Sequence, residues 1–440
     1  MLDIVGHGYR NCDGITRRDA LRVGALALGG LTLSHFFATK ARAEGRGVKD
    51  TAVIQIFMGG GPSHLDMYDL KPNAPAEIRG EFKEIRTRVP GIRISEHLPL
   101  QAAAMDKIAI VRSVTHHNSS HLPSSHFVLT GHEPPGEITS NVNPSTGSII
   151  AKLRGPNAPG MPPYVAVPRR TSYGGAAYLG GAYDSFPTQM DPNADQFHVP
   201  NLRPLPELSI DRLFSRRTLA ADLDGMRRDI DAHGEMTALD RYSAQALDLI
   251  TSEKVEKAFD IESEPPRVRD QYGRTPIGQN CLLARRLVEA GVTYVTCLSG
   301  GGWDTHTNNF SELKNMTLPR YDRAVAALVS DLYERGLGER VLVMAFGEFG
   351  RTPRINADAG RDHWPGAMSV LFSGGGLKVG QMVGSTDSHG AYPTSSPYSP
   401  GCVLATMYHF MGIDYSHHLQ DQSNRPIPVL PEGRPIVELI

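Results

Sequence analysis

The run AVIQIFM (52–58) passes directly into GGGPSHLDMYD (59–69), and the reading of that junction decides the fold. A short apolar, β-branched run that stops at a glycine triplet is the pattern of a strand buried on both faces and ending in a loop. The pattern recurs along the chain. IAIVRSV (108–114) ends just before a histidine-rich stretch, VTYVTCL (292–298) leads to GGGWDTH, VLVMAF (341–346) leads to GEFGRTPR, and SVLFSG (369–374) is a fifth strand. Residues 278–290 have helical spacing and stop at Gly291. A second helix is predicted over about 318–335, with Leu318, Tyr321, Val325, Leu328 and Leu332 on one stripe, and a short one over 402–411. Hydrophobic strands alternating with amphipathic helices predict an α/β fold, an α/β/α sandwich with a mainly parallel, doubly wound sheet. Residues 151–270 are less regular, with Pro and Gly clusters early (YGGAAYLGGAYDSFP) and charged helical stretches later (DLDGMRRDIDAHGEM). They read as an insertion carrying substrate loops and helices.

Bulk properties narrow the function. With 21% charged residues and a formal net charge of −2, the 440-residue chain does not have the basic balance of a nucleic-acid partner or a polybasic membrane binder. The N-terminus stands apart. TRRDALRVGALALGGLTLSHFFATKARA starts with Arg17 and Arg18, continues through a mild apolar stretch from about Val23 to Phe37, and ends on Ala41-Arg42-Ala43. That is the layout of a twin-arginine signal peptide cleaved before Glu44, so residues 1–43 are set apart from the fold, and the protein is expected in the periplasm or at the cell surface. The remaining cysteines, Cys281, Cys297 and Cys402, exclude a dense disulfide framework. Cys281 and Cys297 read as small core residues, with a single 281–297 or 281–402 bridge left open.

Four of the strands end in loops crowded with ligand-type residues. They carry His64 and Asp66; a cluster of five histidines (His116, His117, His121, His126, His132); Asp304 and His306; and Glu348, Asp362 and His363. Sites in open α/β sheets lie at the carboxyl ends of the strands, so parallel strands bring these loops to one edge. Carboxylate oxygens mixed with imidazole nitrogens suit one or two Zn, Mn or Fe ions better than Ca or Mg. The expected metal ligands are His64, Asp66, Asp304, His306, Glu348, Asp362 and His363, with His121 completing the set. Arg351 and Arg361 are expected to pair with these acids or to hold a substrate oxyanion. Trp303 and Trp364, each beside a candidate ligand, are expected to shield the site from water.

These residues carry a resemblance. GGPSHLDMYDLKP (60–72), SSHFVLTGHEP (124–134), GGWDTH (301–306), GEFGRTPRIN (347–356) and GRDHWP (360–365) resemble the DUF1501 family of exported bacterial proteins. That family is a branch of the alkaline phosphatase-like (sulfatase-like) superfamily, and the resemblance runs over the whole mature chain. It implies an α/β/α sandwich with a metal site at the strand ends and hydrolysis of phosphate or sulfate esters. HLPSSHFVLTG (121–131) lines up with the sulfatase motif C/S-x-P-S-R-x-x-x-L-T-G, keeping Pro123, Ser124, Leu129, Thr130 and Gly131. The nucleophile position is then His121, and Ser125 stands at the motif's arginine. GEFG resembles the S-D-H-G metal loop with Phe349 in place of its histidine, Asp304 and His306 resemble a D-x-x-x-H pair with shorter spacing, and His363 resembles the late histidine ligand. Three routes of attack stay open: a hydroxide on a metal held by His121, Ser124 or Ser125 activated by a neighbouring histidine or the metal, and His121 itself as a phospho-histidine. The expectation is an exported metal-dependent hydrolase of phosphate- or sulfate-type esters acting on a small-molecule or polysaccharide substrate. The alternative is a non-catalytic exported binding protein that keeps the fold, with an exported protein carrying a cytochrome-like domain as the partner that the family's gene neighbourhoods imply.

Overall fold

The computed structural model describes residues 50–200, 202 and 252–440. The leader-like segment and the charged stretch 222–236 lie outside them. The central sheet contains eight strands: β1 (Ala52–Phe57), β2 (Ile108–Val114), β3 (Tyr164–Val167), β4 (Phe186–Pro187), β5 (Tyr294–Leu298), β6 (Val341–Phe346), β7 (Met368–Gly374) and β8 (Gln381–Val383). Their order is β8-β2-β7-β6-β1-β5-β3-β4. β1 pairs in parallel with β5 and β6, β3 with β5, β4 with β3, and β8 with β2. β7 alone in this sheet runs backwards, antiparallel to both β2 and β6.

Alternation along each strand sends side chains to two separate cores. From β1, Ala52, Ile54 and Ile56 enter one core, and Val53 and Phe57 the other. From β6, Val341, Val343 and Ala345 divide in the same way from Leu342, Met344 and Phe346. Helices cover both. The first core is closed by α3 (Pro276–Ala290) and α4 (Leu318–Glu334). The second is closed by α1 (His121–Thr130), α2 (Thr146–Arg154) and α5 (Pro400–Phe410). The result is the expected α/β/α sandwich with a mainly parallel sheet. Within 151–270, Tyr164–Val167 and Phe186–Pro187 extend the sheet at one edge, so this stretch supplies sheet as well as loops. Cys281, Cys297 and Cys402 are buried free thiols, as fits small core residues. Among the described residues no helix is long and apolar enough to cross a membrane.

The carboxyl ends of β1, β2, β5 and β6 share one edge. Since β7 runs the other way, its start lies at that edge too, which brings His363 there from the amino-terminal side. Two buried arginines fasten the loops. Arg361 makes a two-pronged ion pair with Asp66 (Nε to Oδ2 2.8 Å, Nη2 to Oδ1 3.1 Å) and donates to the carbonyl of Ile78. Asp66 also accepts from Ser63 and from Asn309, so it is satisfied within the protein. Breaking such a pair leaves a buried charge with no partner. Asp66→Ala should therefore cost about 3–5 kcal/mol in chemical denaturation; a loss below about 1 kcal/mol, the range of a surface pair, would contradict this account.

Candidate metal centre

HLPSSHFVLTG, read above as a loop, forms most of a helix. α1 begins at His121, with Pro123 in its first turn where a missing N–H costs little, and ends at Gly131 in the left-handed conformation (φ 79°). Its amino terminus, the positive end of the helix dipole, faces carboxylates from β5 and β6. His121 Nδ1 lies 2.6 Å from Glu348 Oε1, and its Nε2 lies 3.2 Å from Asp304 Oδ2. The hydrogen bond to Glu348 raises the His121 pKa above the usual imidazole value despite partial burial.

Two more histidines turn towards Asp304. His363 Nε2 and His306 Nε2 each lie 3.1 Å from Asp304 Oδ1, and 2.9 Å from one another. Ligand atoms of His121, Asp304 and His363 all lie within 4.8 Å of one another. The far nitrogen of each ring is committed. His121 Nδ1 is held by Glu348, His306 Nδ1 by Asp362 at 2.6 Å, and His363 Nδ1 donates to the Ser119 carbonyl at 2.8 Å. A hydrogen on Nδ1 leaves Nε2 as a lone pair, so the neutral rings turn acceptors towards an acceptor oxygen. That arrangement is unfavourable unless a cation or a further proton lies between them. Imidazoles fixed through one nitrogen by carboxylate or carbonyl, with the other exposed, are the usual setting of a metal ligand. The donor set fits a divalent transition ion: a tetrahedron with bonds of about 2.0–2.1 Å has edges near 3.3–3.4 Å. Charge agrees as well. Asp304, Glu348 and Asp362 against Arg351 leave two negative charges when the histidines are neutral.

Glu348 and Asp362, both expected to bind metal, hold His121 and His306 through their Nδ1 atoms. Glu348 is buried and also accepts from Gly60 N (2.9 and 3.1 Å), while its backbone carbonyl accepts from His116 Nε2 (2.7 Å). The bond from His306 draws the Asp362 carboxyl below its ordinary value. Burial pushes Asp304 up, but the hydrogen bond and charge of the Arg351 guanidinium outweigh it and hold this carboxyl well below the carboxylate range. His64 lies apart from the cluster, buried, with Nε2 donating to the Gly390 carbonyl at 2.8 Å, and Asp66 is spent on Arg361.

Neither arginine is free for a substrate oxyanion. Arg351 is fully buried and donates to Gly61 O (2.8 Å), Arg361 O (2.9 Å), Gly60 O and Asp304 Oδ1 (2.5 Å). Ser124 is buried with its hydroxyl on the Asn118 carbonyl (2.8 Å), and Ser125 sits one turn beyond His121, about 6 Å further along the helix axis. The tryptophans are not the wall of the site: Trp303 packs edge-on against Tyr321 and Trp364 against Tyr392. The wall is Phe349, whose ring lies 4.4 Å from that of His363 and 5.1 Å from that of His121. Sequence reading noticed Phe349 only as a missing histidine. The Gly60 N–H and the Ser119 carbonyl carry no sequence signal at all. Gly60 and Gly61 have positive φ (118° and 78°), and a Cβ at Gly61 would stand 2.5 Å from the Phe349 ring, so only glycine lets this loop pass.

The chain belongs to the family described as "Protein of unknown function (DUF1501)", which matches residues 50–440. No curated protein matches it. Among solved structures it is similar to Ps i-CgsB (9% identity, TM-score 0.38, covering 83% of this chain and 72% of that one). It is also similar to the lipoteichoic acid synthase LtaP from Listeria monocytogenes (11%, 0.33, 89% and 76%) and the PsFucS1 sulfatase from Pseudoalteromonas sp. (12%, 0.35, 89% and 72%). Likeness at this level carries no argument about chemistry.

Burial around the site generates a pH dependence. It holds His116 and His126 neutral, lowering each from 6.5 to about 4, and lowers His64 and His132 as well. Below pH 6.5 the unfolded chain takes up protons that the folded one refuses, so this stability is complete above 6.5 and is lost as pH falls towards 4. His97 and His363 are lowered by burial too, while Asp322, raised to about 6 by burial, and His121, raised by its bond to Glu348, pull the other way, two groups against six. Thermal unfolding of metal-free protein should therefore show a lower midpoint at pH 5 than at pH 7; an unchanged or higher midpoint would refute the assignment.

Proposed function

We propose that this member of the DUF1501 family is an exported, divalent-metal-dependent hydrolase of phosphate- or sulfate-type esters, built on the alkaline phosphatase-like plan. One observation carries the reading: His121, Asp304 and His363 converge at the carboxyl edge of a parallel sheet, with each imidazole fixed through its other nitrogen. The register of HLPSSHFVLTG on the sulfatase motif supports the superfamily, and the twin arginines support export. A divalent ion held there supplies a Lewis acid for the ester oxygens and lowers the pKa of water towards ~7.

The chain's own residues do the rest. Two surplus negative charges repel an anionic ester, so substrate binding depends on the cation. Arg351 holds Asp304 in place, Glu348 orients His121, and Phe349 keeps water off one side of the rings. With the Ser124 hydroxyl committed to Asn118, attack falls to water: its oxygen bonds to phosphorus or sulfur, the ester bond breaks, and the alcohol leaves with a proton. The open side is that of Asp304 and Asp362, 47% and 53% exposed against 2% for Glu348, and a substrate enters there. The same commitment of both arginines favours the second reading, a binding protein that keeps the metal loops.

His363→Ala should abolish both bound metal, measured by elemental analysis, and hydrolysis in a broad ester screen with added Mn²⁺ and Zn²⁺. An active His363→Ala protein would sink the assignment, and a metal-loaded wild type silent across the screen would transfer it to the binding protein.

A further inference from the structure

We propose that the groove between the hairpin strand Glu84–Arg86 and the short helix Pro99–Ala103 is a docking site for an extended, acidic segment of a partner protein, which adds a third strand to the hairpin. None of the residues that line this groove belongs to the candidate metal centre.

The hairpin pairs Glu84–Arg86 with Arg93–Ser95 and has no third strand. Its backbone bonds alternate. Glu96 N donates to Lys83 O (2.8 Å) and Thr87 N to Ile92 O (3.2 Å), so residues 83, 85 and 87 turn their backbone groups inwards to the partner strand. Residues 84, 86 and 88 turn theirs outwards. Arg88 N follows that rule and donates to Ala102 O (2.9 Å), which closes one end of the groove. The N–H and C=O of Arg86, two residues earlier on the same edge, find no partner among the described residues. Such an open edge is a template for another strand. The groove beside it has a volume of about 380 Å³ and a small, apolar floor of Ile85, Pro99, Ala102 and Ala103, with Leu100 exposed on the same helix. Arginines set the sign of what fits. Arg86 stands directly opposite Arg93, in the kind of pair where side chains come closest and like charges repel. Among the described residues no carboxylate pairs with either, and Arg88 reaches Asp106 only at 3.8 Å, an acid that Lys107 holds at 3.2 Å. A carboxylate on an added strand lies beside Arg86 and offsets the charge of Arg93. The next residue of that strand points to the other face, where Ile85 and the helix offer apolar contact. Three arginines fall short of the roughly four to eight basic residues of a lipid-headgroup patch, and the free strand edge asks for a peptide.

The test is fluorescence anisotropy of the full chain with two labelled hexapeptides, one alternating glutamate with valine and the other lysine with valine. The glutamate peptide should bind and the lysine peptide should not. Arg86→Glu should weaken the glutamate peptide by about 10-fold or more, because it sets like charges against each other. Arg86→Glu/Arg93→Glu should reverse the preference, and that gain of binding is one a misfolded chain does not show. An added strand bonds through the amides of one edge only, so N-methylation of one alternate set of peptide amides should abolish binding while the other set is spared. A glutamate peptide that fails to bind, or that binds wild type and Arg86→Glu alike, overturns the docking site, and equal binding of both N-methylated forms overturns strand addition. Binding of wild type to phosphatidylglycerol vesicles with none to the peptide assigns the groove to a lipid surface, and a dimer in sedimentation that Arg86→Glu disperses assigns it to a second copy; either result overturns the acidic partner.

Discussion

A fully buried guanidinium is costly unless each of its nitrogens finds an acceptor, and Arg351 meets that demand by joining three strand ends. It takes the carbonyls of Gly60 and Gly61 after β1, the carbonyl of Arg361 before β7, and the Asp304 carboxylate after β5. Each partner belongs to a loop that would otherwise be free at the surface. Satisfying one charge therefore fixes the relative position of three segments far apart in sequence, and Arg361 repeats the device through the equally buried Asp66. The two glycines are small because the Trp303–Asp304 backbone passes close to Gly60 and the Phe349 ring close to Gly61. The candidate metal centre is the exposed end of this buried scaffold.

The scaffold explains why the site is stiff on one side and open on the other. Glu348 sits at the bottom, accepting from a backbone N–H and from His121, and cannot swing out to serve as a ligand without abandoning both. Asp362 stands at the rim in the same relation to His306. The carboxylates thus do their work at one remove, as acceptors that settle which ring nitrogen carries hydrogen. The groups that face inward are chosen less by charge than by which atom the surroundings leave unoccupied.

Much of this was legible in the sequence. The strands of β1, β2, β5 and β6 were visible because burial on both faces demands unbroken apolar runs, and α4 because its apolar stripe keeps helical spacing through Leu318, Tyr321, Val325, Leu328 and Leu332. Asp304, His306 and His363 were placed at the right edge because ligand-type residues follow strands. Roles were less legible. Asp66 and Arg361 look like site residues in sequence, and only geometry shows that each is occupied by the other. The helix at His121 was missed because HLPSSHFVLT has no amphipathic stripe: it is held by its ends, between Ser120 and Gly131, and by the polar contacts of its first turn. Phe349 could not have been identified as the site's wall, since an aromatic beside a glutamate has no periodicity to betray its partner.

The reversed direction of β7 has its own consequence. Because that strand begins at the site edge, His363 arrives there only when β7 has been inserted between β2 and β6, the last of the site-forming segments in chain order to join the sheet. His121 and Asp304 are 183 positions apart, and Asp304 and His363 another 59, so no short peptide of this chain contains the centre. An ion lodged there ties the early, middle and late parts of the sheet into one closed loop, as a cross-link does. Its binding energy is then paid back as resistance to opening the sheet.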